Sequence, residues 1–151
     1  MRKVTVLLVV LAAAGLATVT FMSFRATKAP PTEKIVWNDF ENGMKLAHTN
    51  NLPMMIDFAA SWCGWCKDLD DEVYNVPEVI ALSRNFVCVR VDGDREKEVA
   101  DYFNVTGYPT IVFTNSKIEE VDRIPGFMPA DGFLAQMRAA LEKVGGAHQV
   151  R

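Results

Sequence analysis

Two cysteines three positions apart, Cys63 and Cys66, are the residues of this chain whose types and spacing most clearly indicate chemistry. They lie in the run Trp62-Cys63-Gly64-Trp65-Cys66-Lys67, directly after an apolar stretch over 53–60. This places both thiols between the end of a predicted strand and the start of a predicted helix, where they can open and close as one disulfide. A C-x-x-C pair in that position is typical of a redox centre.

The position of each thiol predicts its role. A thiol attacks a disulfide only as its thiolate, and free cysteine has a pKa near about 8.5. Cys63 would stand in the first turn of a helix, where unpaired N–H groups and the dipole favour negative charge, so it is the predicted nucleophile. Cys66, one turn further, is the predicted resolving thiol, which attacks the mixed disulfide and releases the product. Gly64 is expected to allow a tight backbone turn, and Trp65 to cover the pair.

Two other uses of the cysteine pair fit less well. A permanent disulfide over so short a separation closes almost no loop and removes little unfolded-state entropy. A zinc site needs further ligands, and the chain has no second cysteine pair, while His48 and His148 lie far away in sequence. We therefore predict no metal and no cofactor beyond the redox-active disulfide. The third cysteine, Cys88, is expected to be an inert buried residue, with a second reactive thiol as the alternative.

Asp57 is an acid inside the apolar run. Burying an ionised carboxylate is costly, so this side chain should be neutral or have a partner. Because it precedes Cys63 by six residues, it would lie beneath the dithiol. Burial should raise its pKa and make it a candidate proton acceptor for Cys66. The alternative is an ordinary acid at the solvated end of the strand.

A third feature is the tetrapeptide over 107–110, Gly-Tyr-Pro-Thr. A proline at the start of a strand cannot donate to a ladder, so it suggests a special role. A cis Tyr108–Pro109 bond would present the backbone of Tyr108 to an extended partner segment, whereas a trans proline would merely open the strand. The predicted substrate-binding residues are Trp62, Trp65, Tyr108 and Pro109, with Gly126 and Phe127 as further candidates.

The remaining pattern predicts the elements that position these residues. Helices are predicted over 39–50, 77–83, 94–103 and 129–144, and after Cys63, where Cys66, Leu69 and Val73 form an inward stripe. The acids Asp68, Asp70, Asp71 and Glu72 lie mostly off that stripe and are interpreted as a solvated face. Strands are predicted over 53–59, 86–91, 109–114 and 117–124, and the short link between the last two joins antiparallel neighbours. This order predicts an α/β fold with a mixed sheet, a central parallel pair, an antiparallel edge and helices on both faces.

The composition of the chain limits the classes of protein to which it can belong. The chain has 151 residues, half of them hydrophobic and 23% charged, with a formal charge of −3. This fits one globular domain and offers no basic surface for nucleic acid.

The first part of the chain predicts export. Met1-Arg2-Lys3 is followed by an uncharged, mostly apolar stretch over 4–24, about long enough to cross a bilayer core as a helix. Residues 1–25 are therefore predicted to be a hydrophobic helix that acts as either a cleaved signal peptide or a membrane anchor. A linker over 26–34, a domain over 35–144 and a flexible tail over 145–151 after two glycines complete the expected organisation.

The C-x-x-C loop, the acid six residues before it and the later Gly-x-Pro-Thr together resemble the thioredoxin family. The motif 62–67 matches its active-site loop, Asp57 its buried acid and Pro109 its cis-proline. Within the family, 68–79 and 123–128 look similar to the C-terminal domain of bacterial transmembrane disulfide reductases of the DsbD type, and to small exported thioredoxin-like proteins. Trp65 stands where thioredoxin has proline, and Cys88 aligns with a lysine near the buried acid, so Asp57 should be tuned differently.

The resemblance implies a thioredoxin fold and thiol–disulfide exchange outside the cytoplasm, on protein disulfides. A reducing or electron-relay role is favoured, and in an oxidising compartment it would need a donor such as a membrane thiol reductase. A disulfide oxidase or isomerase using the same residues is the first alternative. A non-enzymatic copper chaperone, whose two thiolates hold Cu(I), is the second.

Overall fold

A computed structural model of the chain describes residues 33–147. The helices are α1 (Phe40–Asn50), α2 (Gly64–Asp68), α3 (Pro77–Ser83), α4 (Lys97–Tyr102) and α5 (Ala130–Ala147). The strands are β1 (Met54–Ala59), β2 (Val87–Asp92), β3 (Thr110–Thr114) and β4 (Glu120–Pro125). A π-helical turn over Leu69–Val73 continues α2 directly.

The four strands form one mixed sheet in the order β2-β1-β3-β4. β1 and β2 are parallel, with Asp57 opposite Arg90. β3 is antiparallel to both β1 and β4, and in its pairing with β1 it places Ile111 opposite Asp57. The predicted mixed sheet with a parallel pair and an antiparallel edge is confirmed.

Helices cover both faces of the sheet because successive residues of each strand point to opposite sides. Met54, Ile56 and Phe58 pack on the side of α1 and α4, and none of the three is exposed. Met55, between them, packs with residues of α3 and α5 on the other side. Complete burial of each such side chain stabilises the fold by about 1.5–3 kcal/mol. β1 is therefore held from both faces, which makes its carboxyl end a rigid support.

Helix ends follow local hydrogen bonding more closely than the sequence pattern suggested. Asp39 caps α1 by accepting a hydrogen bond from the Asn42 N–H. α4 begins at Lys97, later than the predicted Asp94, whose N–H instead donates to the Asp92 carboxylate in a turn. α5 continues to Ala147, so the predicted end before two glycines is wrong. A glycine costs only about 1 kcal/mol in a helix, which a long packed helix tolerates.

The predicted hydrophobic helix over 1–25 lies outside the described residues, as do most of the linker and residues 148–151. Within 33–147, no helix has both the length and the apolar character needed to cross a membrane.

Candidate active site

The cysteine pair lies where β1 gives way to α2. The Cys63 N–H donates to the Ala60 carbonyl at 3.0 Å, which closes the turn after the strand. Cys63 then caps α2, and its Sγ accepts a hydrogen bond from the Cys66 N–H at 3.1 Å. A disulfide joins the two residues, with the Cα atoms 5.3 Å apart. A sulfur that already accepts a backbone N–H at a helix start is well placed to carry negative charge once the disulfide is reduced.

Gly64 does not have the role predicted for it. Its backbone is outside the left-handed region, and a Cβ added there would meet nothing within 4 Å. The turn between the cysteines therefore does not sterically require glycine. A side chain at this position would instead extend into open space beside the dithiol.

The helix after the cysteines packs as its stripe predicted, with Cys66, Leu69 and Val73 all buried. Its path changes at the π-helical turn, where the Tyr74 N–H donates to the Leu69 carbonyl at 2.8 Å. Such wide turns are frequent at functional sites. This turn carries Asp70, one helical turn after Cys66. The Asp70 side chain contacts Arg90 of β2.

Asp57 is only 2% exposed, so the predicted burial is confirmed and the alternative of a solvated acid is wrong. Its partner is Arg90, directly opposite on β2. Arg90 donates from Nε and Nη2 to Asp57 Oδ2 at 3.1 and 2.9 Å. The same guanidinium donates to Asp70 Oδ1 at 2.6 Å and lies over the Trp37 ring, 4.4 Å from its centroid.

The environment of Asp57 places its proton equilibrium close to neutral pH. Burial raises the pKa of Asp57 to about 6, while the charge and hydrogen bonds of Arg90 oppose that rise and the Asp70 carboxylate adds to it. A carboxyl with such a pKa can exchange protons under physiological conditions. The catalytic roles of Asp57, Cys63 and Cys66 remain predictions that this geometry favours.

The sequence pattern did not predict Arg90 as the partner of Asp57. Asp70 is 46% exposed, which fits the predicted solvated face, but it also forms an ion pair with Arg90 that the pattern does not predict. Cys88, at the position where thioredoxin has a lysine, lies opposite Met55 rather than Asp57. Burial raises the pKa of the Cys88 thiol to about 12, and this thiol donates to the Ser83 carbonyl at 3.6 Å, which fits an inert residue. The available signal for Arg90 was a lone base in the apolar alternation of β2.

The four residues predicted to bind substrate lie around the dithiol. The Tyr108–Pro109 peptide bond is cis, and Tyr108 packs against the small cluster formed by Ala60, Cys63 and Cys66. The Trp62 ring, 68% exposed, contacts the Tyr108 ring at a centroid distance of 6.0 Å and donates to Asp94 at 2.7 Å. Trp65 is also exposed, and its ring packs against Phe127 at 5.6 Å. Their role in binding substrate remains a prediction.

Among residues 33–147, no group of three or more His, Cys, Asp or Glu side chains is arranged to hold a metal ion.

Residues 40–141 match the family model of the thioredoxin-like domain. This chain belongs to that family. A thiol–disulfide oxidoreductase activity follows from membership together with the Cys63–Cys66 disulfide.

Individual relatives refine the likeness. The chain is 33% identical over 104 residues to the thiol:disulfide interchange protein DsbD of Campylobacter jejuni (strain RM1221), a match that covers 66% of this chain and 18% of that protein. The solution structure of a thioredoxin from Thermus thermophilus is similar with a TM-score of 0.68 and 27% identity, over 76% of this chain and 93% of that one. The DsbD C-terminal domain of Neisseria meningitidis shares the fold, with a TM-score of 0.59 and 22% identity over 66% of this chain and 92% of that one.

Proposed function

We propose that this family member is an exported oxidoreductase that reduces protein disulfides, or relays electrons to them, through Cys63 and Cys66. The observation that carries the proposal is the Cys63–Cys66 disulfide directly after β1, the strand that also carries the buried Asp57, whose pKa is raised to about 6. The similarity to a DsbD thiol:disulfide interchange protein over 104 residues supports disulfide exchange with protein partners, and the reducing direction is our proposal.

The first step is attack by Cys63. Its thiolate, which accepts the Cys66 N–H, displaces one sulfur of the substrate disulfide. A mixed disulfide forms between Cys63 and one half of the substrate, and the other half leaves as a thiolate. An extended substrate segment would lie along the backbone beside Pro109, between the exposed rings of Trp62 and Trp65.

The second step is resolution by Cys66. Its S–H transfers a proton to the Asp57 carboxylate, and the new thiolate attacks the Cys63 sulfur. The second substrate thiolate leaves, and the protein retains the Cys63–Cys66 disulfide. Two electrons have then passed to the substrate.

The proposal also includes export of the protein and an electron donor for its disulfide. The basic start and apolar stretch over 4–24 support secretion or membrane tethering, with the membrane contacted through that segment. Repeated turnover requires a reductant for the Cys63–Cys66 disulfide. We infer a membrane thiol reductase, because an oxidising compartment supplies no soluble dithiol pool.

Insulin reduction tests the proposed activity. With dithiothreitol as the electron source, the full chain should accelerate the precipitation of reduced insulin B chain well beyond dithiothreitol alone. A copper chaperone would bind Cu(I) through the same thiols without accelerating that reaction. Precipitation at the background rate by correctly folded protein would contradict the proposal.

A further inference from the structure

Arg90 has no role in the two proposed steps, although it contacts the proposed proton acceptor. Its guanidinium contacts two carboxylates that belong to different elements, Asp57 of β1 and Asp70 of the turn after α2. Asp57 is 2% exposed at its side chain, whereas Asp70 is 46% exposed. One cation is therefore shared between a carboxylate inside the protein and another at its surface.

The hydrogen bonds to Arg90 are unevenly placed on Asp57. Both run to Oδ2, and the buried Oδ1 has no hydrogen-bond partner in the described part of the chain. The buried Tyr74 hydroxyl lies close enough to this carboxyl to lower the pKa of Asp57. Oδ1 is the oxygen that Arg90 does not hold, so the carboxyl can take a proton there while its contacts with Arg90 remain.

Two cavities are lined by both Arg90 and Asp70. One, of about 300 Å³, is also lined by Cys66. The second, of about 250 Å³, is also lined by Trp37 and Tyr74. Arg90 therefore contacts the buried Asp57 and at the same time borders both cavities.

We propose that Arg90 is a counterion shared by Asp57 and Asp70, so that Asp70 balances its charge when Asp57 takes the Cys66 proton. This proposal rests on the proposed function and assigns Arg90 and Asp70 as positioning residues. In the step, the Cys66 S–H bond breaks, an O–H bond forms at Asp57 Oδ1, and the negative charge moves to the Cys66 sulfur. Arg90 and Asp70 are left as a neutral pair. Arg90 is therefore not left unpaired beside the neutral Asp57. Removing either Arg90 or Asp70 must then change the pH at which Asp57 titrates.

Other titratable or charged groups also lie near this cluster. They are Cys66 and Lys67 on α2, Asp71 in the π-helical turn and Tyr74 after it, Cys88 and Asp92 on β2, and Lys34 before α1. β3 contributes the apolar Ile111 opposite Asp57.

Two substitutions should shift the titration of Asp57 in opposite directions. Arg90→Gln removes the cation that stabilises the ionised carboxylate, so the midpoint should rise by about one pH unit or more. Asp70→Asn removes a neighbouring anion and leaves Arg90 to Asp57 alone, so the midpoint should fall. Arg90→Lys, which retains a charge without the planar fork, should give a smaller rise than Arg90→Gln. The matched controls are Arg95→Gln and Glu72→Gln, since both side chains are exposed and neither lines the two cavities beside Arg90.

The measurement is a pH titration of the Asp57 carboxyl carbon by NMR in the reduced full chain, with Asp57→Asn to assign the signal. Opposite shifts for the two variants, absent in the controls, support the proposal. Shifts in the same direction, or shifts no larger than those of the controls, overturn it. If Arg90→Gln does not fold, Asp70→Asn decides alone, and an unchanged or raised midpoint overturns the proposal. The titration requires no turnover, so failure of the insulin assay would leave this result interpretable on its own.

Discussion

Cys63→Ser is expected to reduce insulin no faster than dithiothreitol alone, whereas Cys66→Ser should stop after the first step and trap substrate on Cys63. The difference follows from the geometry, in which Cys63 caps α2 and its sulfur accepts the Cys66 N–H. A serine hydroxyl at either position cannot replace a thiolate in disulfide exchange at neutral pH. Only loss of Cys66 leaves a nucleophile that forms a mixed disulfide and cannot release it.

Mass spectrometry of each variant after mixing with a disulfide-bonded peptide measures the trap directly. Cys66→Ser should gain the mass of one peptide half, and Cys63→Ser should remain unmodified. Cys88→Ser is the matched control, because Cys88 is buried away from the rim and should leave both activity and adduct formation unchanged. Adduct formation on Cys63→Ser, or insulin reduction by it at the wild-type rate, would reverse the assigned order of attack.

Asp57→Asn is expected to stabilise the fold above neutral pH. Burial raises the pKa of Asp57 from 3.8 to about 6, so the folded state binds this proton more tightly than the unfolded chain does. Stability from Asp57 is therefore greatest below pH 4, where both states are protonated, and is lost as the pH rises through about 6. A shift of this size corresponds to roughly 3 kcal/mol. That pKa already includes the attraction of Arg90, so the free energy of unfolding of Asp57→Asn should exceed that of wild type by up to about 3 kcal/mol at pH 7.5.

Urea unfolding of the disulfide form at pH 4, 5, 6 and 7.5 tests this expectation. The difference between Asp57→Asn and wild type should be near zero at pH 4 and reach its maximum above pH 6. Asp71→Asn, which changes an exposed acid nearby, should show no such trend. A gain that is constant across the pH range, or largest in acid, would mean that Asp57 is not the buried titrating group.

The same variant should slow resolution, since asparagine cannot accept the Cys66 proton. A positioned general base contributes on the order of 10²-fold or more, so single-turnover reduction of a peptide disulfide should slow by about that factor at pH 7. Asp57 would then be a group that lowers stability and supports activity.

The sequence could predict the sheet and the dithiol because both depend on local patterns. The apolar run before Cys63 predicts a buried strand, and the stripe of Cys66, Leu69 and Val73 predicts the packed face of the following helix. The resemblance of the cysteine loop, Asp57 and Pro109 to the thioredoxin family then predicts how the helices and strands are connected. These elements are where the structure agrees most closely with expectation.

The shared ion pair could not be predicted in the same way. Arg90 lies 33 residues from Asp57 in sequence, and their contact depends on the exact register of two parallel strands. A regular helical period predicts Asp70 on the solvated face, but the π-helical turn over Leu69–Val73 interrupts that period, and Asp70 contacts Arg90. At Gly64 and in the last turns of α5, glycine suggests a tight turn or a helix end that the structure does not show.

A redox titration against glutathione shows whether Cys63 and Cys66 form a reducing dithiol. Trp62 and Trp65 flank the pair and are exposed, so their fluorescence should report the change from dithiol to disulfide. Cys63→Ser and Cys66→Ser, which cannot form the disulfide, correct for signals unrelated to it. We predict a midpoint between about −270 and −200 mV, in the range of thioredoxin and glutaredoxins. A midpoint near about −120 mV, as for a strong oxidant, would contradict the reducing role.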